Sequence, residues 1–218
     1  MVIKKINVGP LAVCCYIVSS NVSGEAIIID PGADAEIIIN FIKESQLNPK
    51  LIVLTHGHGD HIGANAELKT AFPDIQICIH ENDQNMLPYP TKNLSILAAF
   101  YGGATVRSPS ADRLLKDGDT LTLDKYIFEI IHTPGHTSGG ICLYSRKQEN
   151  GQAPVLFSGD TLFKEGIGRT DFPGCSKKEL IQAIKERLFV LDEKTIVYPG
   201  HGPSTTIKEE KKHNPFLQ

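Results

Sequence analysis

Residues 55 to 61 read Thr-His-Gly-His-Gly-Asp-His, so His56, His58, Asp60 and His61 set four metal-grade ligands in six consecutive positions, directly after the apolar run Leu51-Ile52-Val53-Leu54. Imidazole nitrogen and carboxylate oxygen suit Zn²⁺ and Fe²⁺, and Gly57 and Gly59 remove bulk where the backbone must bend around an ion. A lone buried histidine is usually a structural hydrogen-bonder. Several behind one buried strand must each be desolvated and would repel one another when charged, which an ion relieves. A β-period of two predicts that His56 and His58 point to one side, with a turn after Gly59 swinging Asp60 and His61 toward a second position.

Further ligands recur singly. His136 follows Ile131-His132-Thr133-Pro134-Gly135, Asp160 follows Leu156-Phe157-Ser158-Gly159, and His201 follows Ile196-Val197-Tyr198-Pro199-Gly200. Each stands past an apolar run and beside glycine, as expected if parallel neighbouring strands present loops along one rim of a sheet. Five His and two Asp exceed the about four ligands of one tetrahedral ion and suit two ions that share a carboxylate and a water. The expected cofactor is therefore a pair of divalent ions, Zn²⁺ first, with Fe or Mn as alternatives.

The elements that must position these residues alternate between strand and helix. Ile3 to Ile6, Val13 to Val18 and Ala26 to Ile29 read as strands, and Asp30 stands at a strand end before a helix capped by Asp34 with Ile37, Ile38, Phe41 and Ile42 at helical spacing. Pro49 precedes a strand at 51–54, a helix through Ala64, Leu68 and Phe72 ends near Pro73, and Ile75 to Ile79 is another strand. Strands resume at Thr120 to Leu123, Tyr126 to His132, Ile141 to Tyr144 and Val155 to Ser158. Ser176 and Glu179 form a capping-box pattern ahead of a helix through Leu180, Ile181, Ile184 and Leu188, which precedes the last strand. Between Asn82 and Pro109 the pattern loosens around Pro88, Tyr89, Pro90, Phe100, Tyr101, Gly102 and Gly103, the mark of a lid or an insertion packed on the body.

Composition excludes several classes. A chain of 218 residues with 41% hydrophobic and 22% charged content fits a single globular domain over 1–218, embellished at 82–109, and not a fibrous or disordered protein. A net charge of −3 without a basic stripe argues against a nucleic-acid partner, and Lys208-Glu209-Glu210-Lys211-Lys212 reads as a solvated end. No stretch approaches the roughly 20 apolar residues of a membrane span and no signal peptide is visible, so no membrane and a cytoplasmic location are expected. Cys14, Cys15, Cys78, Cys142 and Cys175 form no CxxC pair and read as reduced thiols, with Cys175 in a polar turn as the candidate reactive one.

His-x-His-x-Asp-His, then a single His, a single Asp and a final His, in that order over nearly the whole chain, resembles the metallo-β-lactamase superfamily. The resemblance implies an α+β fold, a four-layer αββα sandwich with the site at one edge of its two sheets. It implies that His56, His58 and His136 bind one metal, that Asp60, His61 and His201 bind the second, that Asp160 bridges them, and that Asp30 is structural. His80, His132 and His213 lie off the pattern.

Within the superfamily the chain is similar to the glyoxalase II (hydroxyacylglutathione hydrolase) group, through Thr55 to His61, His132 to Thr137, Ser158 to Phe163, Gly166 to Phe172 and Tyr198 to Thr206. It departs from the longer members in two respects. The chain ends at Gln218, soon after His201, where they carry a helical domain that helps hold glutathione. They place Lys and Tyr in the loop where this chain has Arg169 and Asp171. Arg169 is the candidate substrate clamp for a carboxylate, or else pairs with Asp171 and pins the loop.

The implied reaction is hydrolysis of a small acyl thioester, such as an S-2-hydroxyacylglutathione, by a hydroxide that two ions generate by lowering the pKa of water from about 15.7 toward roughly 7. Asp60 is the catalytic residue that orients it. A thiolate, with a free-thiol pKa near about 8.5, leaves without a strong general acid, which favours a thioester over an amide. The alternatives are a mononuclear-iron persulfide dioxygenase, whose family shares the Gly-Arg-Thr-Asp-Phe loop, and a lactone or β-lactam hydrolase. A non-catalytic metal module fits least, because structural zinc sites usually include Cys.

Overall fold

The structure, a computed structural model, describes residues 1–20, 24–100, 104–146 and 153–218. Tyr101, Gly102 and Gly103 lie outside the described residues. The chain divides into two compact units, Met1–Leu115 and Lys116–Gln218.

The first unit is built on a six-stranded sheet in which β1 (Val2–Val8), β2 (Val13–Ser19), β3 (Glu25–Ile29), β4 (Asn48–Val53), β5 (Gln76–His80) and β6 (Arg113–Leu115) lie side by side in chain order. The β1–β2 and β2–β3 pairs are antiparallel, whereas β3 through β6 are parallel. Near-continuous apolar runs such as Val13-Cys14-Cys15-Tyr16-Ile17-Val18 are buried along their whole length, which is what a sheet covered on both faces requires. Helix α1 (Ala35–Glu44) turns Ile38 and Ile42 into the core, four residues apart, and leaves Ile37 exposed.

Two expectations are corrected here. Asp34 stands at the start of α1 but does not cap it: its backbone is left-handed (φ 51°), and its Oδ2 accepts the Gly9 N–H at 2.8 Å. Pro49 lies inside β4, not before it, and the β3–β4 register slips between Ala26 and Ile27, where a residue without an N–H faces the ladder.

The loop after β4 leads into the short α2 (Gly59–Ile62) and then α3 (Asn65–Ala71). The stretch read as a lid or insertion carries a 3₁₀ turn, Gln84–Met86, and α4 (Ser95–Ala99). It buries Leu87, Asn93 and Ser95, and Asn93 O accepts the Gly59 N–H at 2.8 Å.

The second unit holds a sheet in the order β14 (Thr205–Thr206), β13 (Ile196–Pro199), β10 (Val155–Gly159), β9 (Ile141–Ser145), β8 (Tyr126–His132) and β7 (Thr120–Leu123). A separate hairpin pairs β11 (Leu162–Phe163) with β12 (Gly166–Ile167). Helix α5 (Lys177–Ala183) runs into a π-helical turn at Ile184–Leu188. Leu180, Ile184 and Leu188 pack with Ile131, Leu156 and Val197, and the Ser176 hydroxyl caps the Glu179 N–H, as the capping-box pattern predicts.

The C-terminal segment is not a solvated end. It forms α6 (Ile207–His213), and Ile207, Glu210, Asn214 and Leu217 are buried. Their spacing of three or four residues makes an inward face that a charge count conceals, since the lysines occupy the other side. Among the described residues no helix is long and apolar enough to cross a membrane.

Candidate metal centre

In the first unit the ligand segment is loop, not strand: β4 ends at Val53, and His56 and His58 precede α2. What holds the loop is Asp30, at the C-terminal end of neighbouring β3 in a left-handed conformation (φ 51°). Asp30 Oδ1 accepts the Thr55 N–H at 2.7 Å, and Oδ2 accepts the Thr55 hydroxyl at 2.6 Å and His61 Nδ1–H at 3.0 Å. With its proton committed to Asp30, Thr55 Oγ1 accepts from His56 Nδ1 at 3.1 Å. Both rings therefore carry the proton on Nδ1 and keep the Nε2 lone pair for another partner, the arrangement that fixes metal-ligating histidines.

The rings gather closely. The His56 centroid lies 4.7 Å from that of His58 and 4.1 Å from that of His61, and His61 Nε2 lies 3.7 Å from Asp60 Oδ2. Ligand atoms of His56 with His58, of His56 with His61, and of Asp60 with His61 fall within 4.8 Å of each other. Glycine is needed because the backbone is crowded: a Cβ on Gly57 would sit 2.6 Å from Met86 Cβ, and one on Gly32 would collide with the Asp60 carbonyl oxygen. Buried Asp83 completes the support by accepting the Gly57 N–H at 3.1 Å.

The second unit carries three of the candidate ligands at one sheet edge. Strands β8 and β10 both run antiparallel to β9, and β13 is parallel to β10, so the three point the same way. Their C-terminal ends deliver His136, Asp160 and His201. Only β10 and β13 are parallel neighbours; β8 reaches the same rim from beyond the reversed β9. His136 Nδ1–H donates to the Arg169 carbonyl at 2.8 Å, again keeping the Nε2 lone pair for another partner. His136 Nε2 and His201 Nε2 each lie 3.6 Å from Asp160 Oδ2.

These separations test whether a metal fits. At 3.6 and 3.7 Å the nitrogen–oxygen pairs are too long for hydrogen bonds. They are close to the edge of a ligand tetrahedron, roughly 3.4 Å for bonds of about 2.0–2.1 Å. The donor set and its spacing fit divalent ions.

Arg169 is pinned. Its Nε and Nη2 donate to the two Asp171 oxygens, each at 2.8 Å, and its guanidinium lies 4.0 Å from the Phe172 ring centroid. The Arg169 hydrogen bonds hold the Asp171 carboxyl down at about 2. Cys175 Sγ donates to the His136 carbonyl at 2.9 Å. The three histidines off the pattern serve locally: His80 Nδ1 accepts the Asn82 N–H, His132 Nε2 donates to the Ser138 carbonyl, and His213 pairs with Glu209. The sequence signals neither the Thr55 bridge nor Asp83. The position of Thr55 directly before the first ligand is its one clue, while Asp83 is brought in by β5 from outside the motif.

The comparisons with known proteins bear on the family and the fold. A family model described as the metallo-β-lactamase superfamily matches residues 8–201. The hydroxyacylglutathione hydrolase GloC of Haemophilus influenzae is 41% identical over 193 residues, covering 88% of this chain and 87% of that protein. The solved structure of BLEG-1, a B3 metallo-β-lactamase, is 40% identical, with a TM-score of 0.90 and 99% of each chain covered. TTHA1623, solved in a di-iron-bound form, is 36% identical with a TM-score of 0.83, covering 98% of this chain and 100% of that one. The fold is thus the expected α+β metallo-β-lactamase fold, and the chain belongs to the metallo-β-lactamase superfamily of metal-dependent hydrolases.

Proposed function

We propose that the protein is a dinuclear metal-dependent thioester hydrolase acting on a small acyl thioester, of the S-2-hydroxyacylglutathione kind that names its relative GloC. In this reading, which follows the superfamily's ligand pattern, His56, His58 and His136 would hold one ion, Asp60, His61 and His201 would hold the other, and Asp160 would serve both. The observation that carries it is the pair of 3.6 Å separations from Asp160 Oδ2 to His136 and His201 Nε2, which makes one carboxylate oxygen a neighbour of ligands assigned to two ions.

Bound there, the ions supply a water acidified toward roughly pKa 7 and a Lewis acid for the thioester carbonyl. The chain does the rest. Nδ1 hydrogen bonds to Thr55, Asp30 and the Arg169 carbonyl fix the rings of His56, His61 and His136 before substrate arrives. Asp60, partly open to solvent, accepts a hydrogen bond from the attacking water and aims its lone pair at the carbonyl. The thiolate departs unprotonated because its conjugate thiol has a pKa near about 8.5. With Asp171 on Nε and Nη2, Arg169 has Nη1 to offer a substrate carboxylate. An odd number of cysteines with no CxxC pair supports a reducing, cytoplasmic setting.

The likeness to BLEG-1 favours β-lactam hydrolysis as the second reading. Metal analysis of the purified protein, paired with an anaerobic thioester assay and a β-lactam panel, decides between them. The proposal expects two divalent ions per chain and thiol release without oxygen. A single iron with oxygen uptake, or turnover confined to β-lactams, sinks it.

A further inference from the structure

We infer that Glu210, on the C-terminal helix, is a positioning residue for the metal ligands of the second unit. This rests on the ligand assignment proposed above. Glu210 is 1% exposed. Its Oε2 accepts the Glu165 N–H and the Asn214 side-chain amide, both at 2.8 Å, and its Oε1 accepts the Thr205 hydroxyl at 2.6 Å. The same Asn214 amide donates to the Gly166 carbonyl at 3.0 Å.

The groups gripped lead to all three ligands of that unit. Glu165 lies in the turn of the β11–β12 hairpin and Gly166 opens β12, the hairpin joins Asp160 to Arg169, and Glu165 is itself left-handed (φ 55°). At the base of the hairpin, Ser158 Oγ donates to the Leu162 carbonyl at 2.8 Å, and a Cβ on Gly168 would collide with the Asp160 carbonyl. The hairpin's position therefore sets both the Asp160 backbone and the Arg169 carbonyl that holds His136 Nδ1. Thr205 follows the His201 loop directly, so the carboxylate's other oxygen fixes the far end of the third ligand's segment.

The chemistry argues for position over bulk stability. Burying a carboxylate costs free energy that an apolar side chain of like size avoids, and it is offset only when its acceptor sites are filled in one geometry. Glu210 fills them with donors from β14, the hairpin tip and the turn after α6. Such a hub specifies where these segments meet.

The test uses the full-length apo protein, titrated with Co²⁺ and followed by its ligand-field absorption, alongside hydrogen exchange of the 133–137 and 165–169 amides. The variants are Glu210→Gln, which keeps the shape but turns an amide toward donors, and the milder Thr205→Val. Lys212→Ala, on the exposed side of α6, is the control. Glu210→Gln should weaken Co²⁺ binding by about 10–100-fold, the range for outer-shell partners of metal ligands. It should also speed exchange at His136 and Arg169; Thr205→Val should do the same to a smaller degree, and the control should match the parent. Parent-like Co²⁺ affinity in both variants overturns the inference, even if their melting temperatures fall. Absence of Co²⁺ binding by the parent overturns the metal reading instead. The positioning role is then decided by exchange alone, with unchanged rates at His136 and Arg169 counting against it.

Discussion

Asp30 Oδ2 lies 3.0 Å from His61 Nδ1, and the same oxygen takes the Thr55 hydroxyl proton at 2.6 Å, so one sealed carboxylate sets the orientation of two imidazoles. Because Thr55 passes the constraint on to His56 Nδ1, a change at Asp30 reaches rings that the ligand assignment gives to different ions.

Asp30→Asn tests this coupling. The amide offers one acceptor where the carboxylate serves three donors, and its own N–H groups face donors. We expect a loss of about 1–3 kcal/mol in the stability of the apo protein, from buried donors left unsatisfied. We also expect metal affinity about 10–100-fold weaker. Denaturant unfolding and Zn²⁺ titration read the two effects separately; parent-like affinity for both ions would confine Asp30 to a folding role.

Gly32→Ala probes the crowding beneath α2. Its Cβ meets the Asp60 carbonyl, which is backbone and cannot rotate aside, so α2 must shift and carry Asp60 and His61 with it. The expected cost is about 1–3 kcal/mol, as for overpacking a tight core, together with weaker metal binding. Gly118→Ala is the contrast: φ is +79° with open space around it, so a backbone penalty of about 1 kcal/mol with unchanged metal binding is expected. Equal metal affinity in the two variants would discard the crowding argument.

The sequence exposes the candidate ligands because their chemistry is local: His56, His58, Asp60 and His61 announce themselves by type and spacing. His136, Asp160 and His201 do so by following apolar runs. The strands at Thr120–Leu123 and Tyr126–His132 are likewise legible, since alternation and turn residues bound them. What stays hidden is whatever depends on partners distant in the chain. Asp34 reads as a helix cap until Gly9 claims its carboxylate. Glu210 reads as one charge in a solvated run until Glu165, Thr205 and Asn214 surround it. Nor can a period-two pattern foresee that β4 stops at Val53 and leaves the histidines to a loop shaped by Asp30.

The Arg169–Asp171 pair has a pH signature. The folded Asp171 pKa, at about 2, lies below its ordinary value. The pair's contribution is therefore complete above about pH 4, the unfolded carboxylate value, and is lost as pH falls through about 2. Both side chains are more than half exposed, so the effect on stability is small and weakens with salt. Carboxyl NMR should find the Asp171 midpoint near about 2, and Arg169→Ala should return it toward about 3.9. An unmoved midpoint would dissolve the pair in solution.

Thiol reactivity should be confined. Burial pushes Cys78 and Cys142 up to about 11 and raises Cys15 as well, which leaves about one thiolate in a thousand at pH 8 for the first two. Cys175 is the half-exposed one of the five. A disulfide reagent under native conditions should modify one thiol rapidly, and Cys175→Ser should remove that phase. Rapid labelling of two or more in the parent would mean that the cores open more readily than their burial implies.

Asp160→Ala makes the sharpest demand on the site. Since His136 and His201 each lie 3.6 Å from the same Asp160 oxygen, deleting it should weaken both metal equivalents together. His201→Ala should weaken one and spare the other, and isothermal titration with Zn²⁺ distinguishes the two outcomes. Retention of one full-affinity ion in Asp160→Ala would assign that carboxylate to a single metal and end the shared-ligand reading.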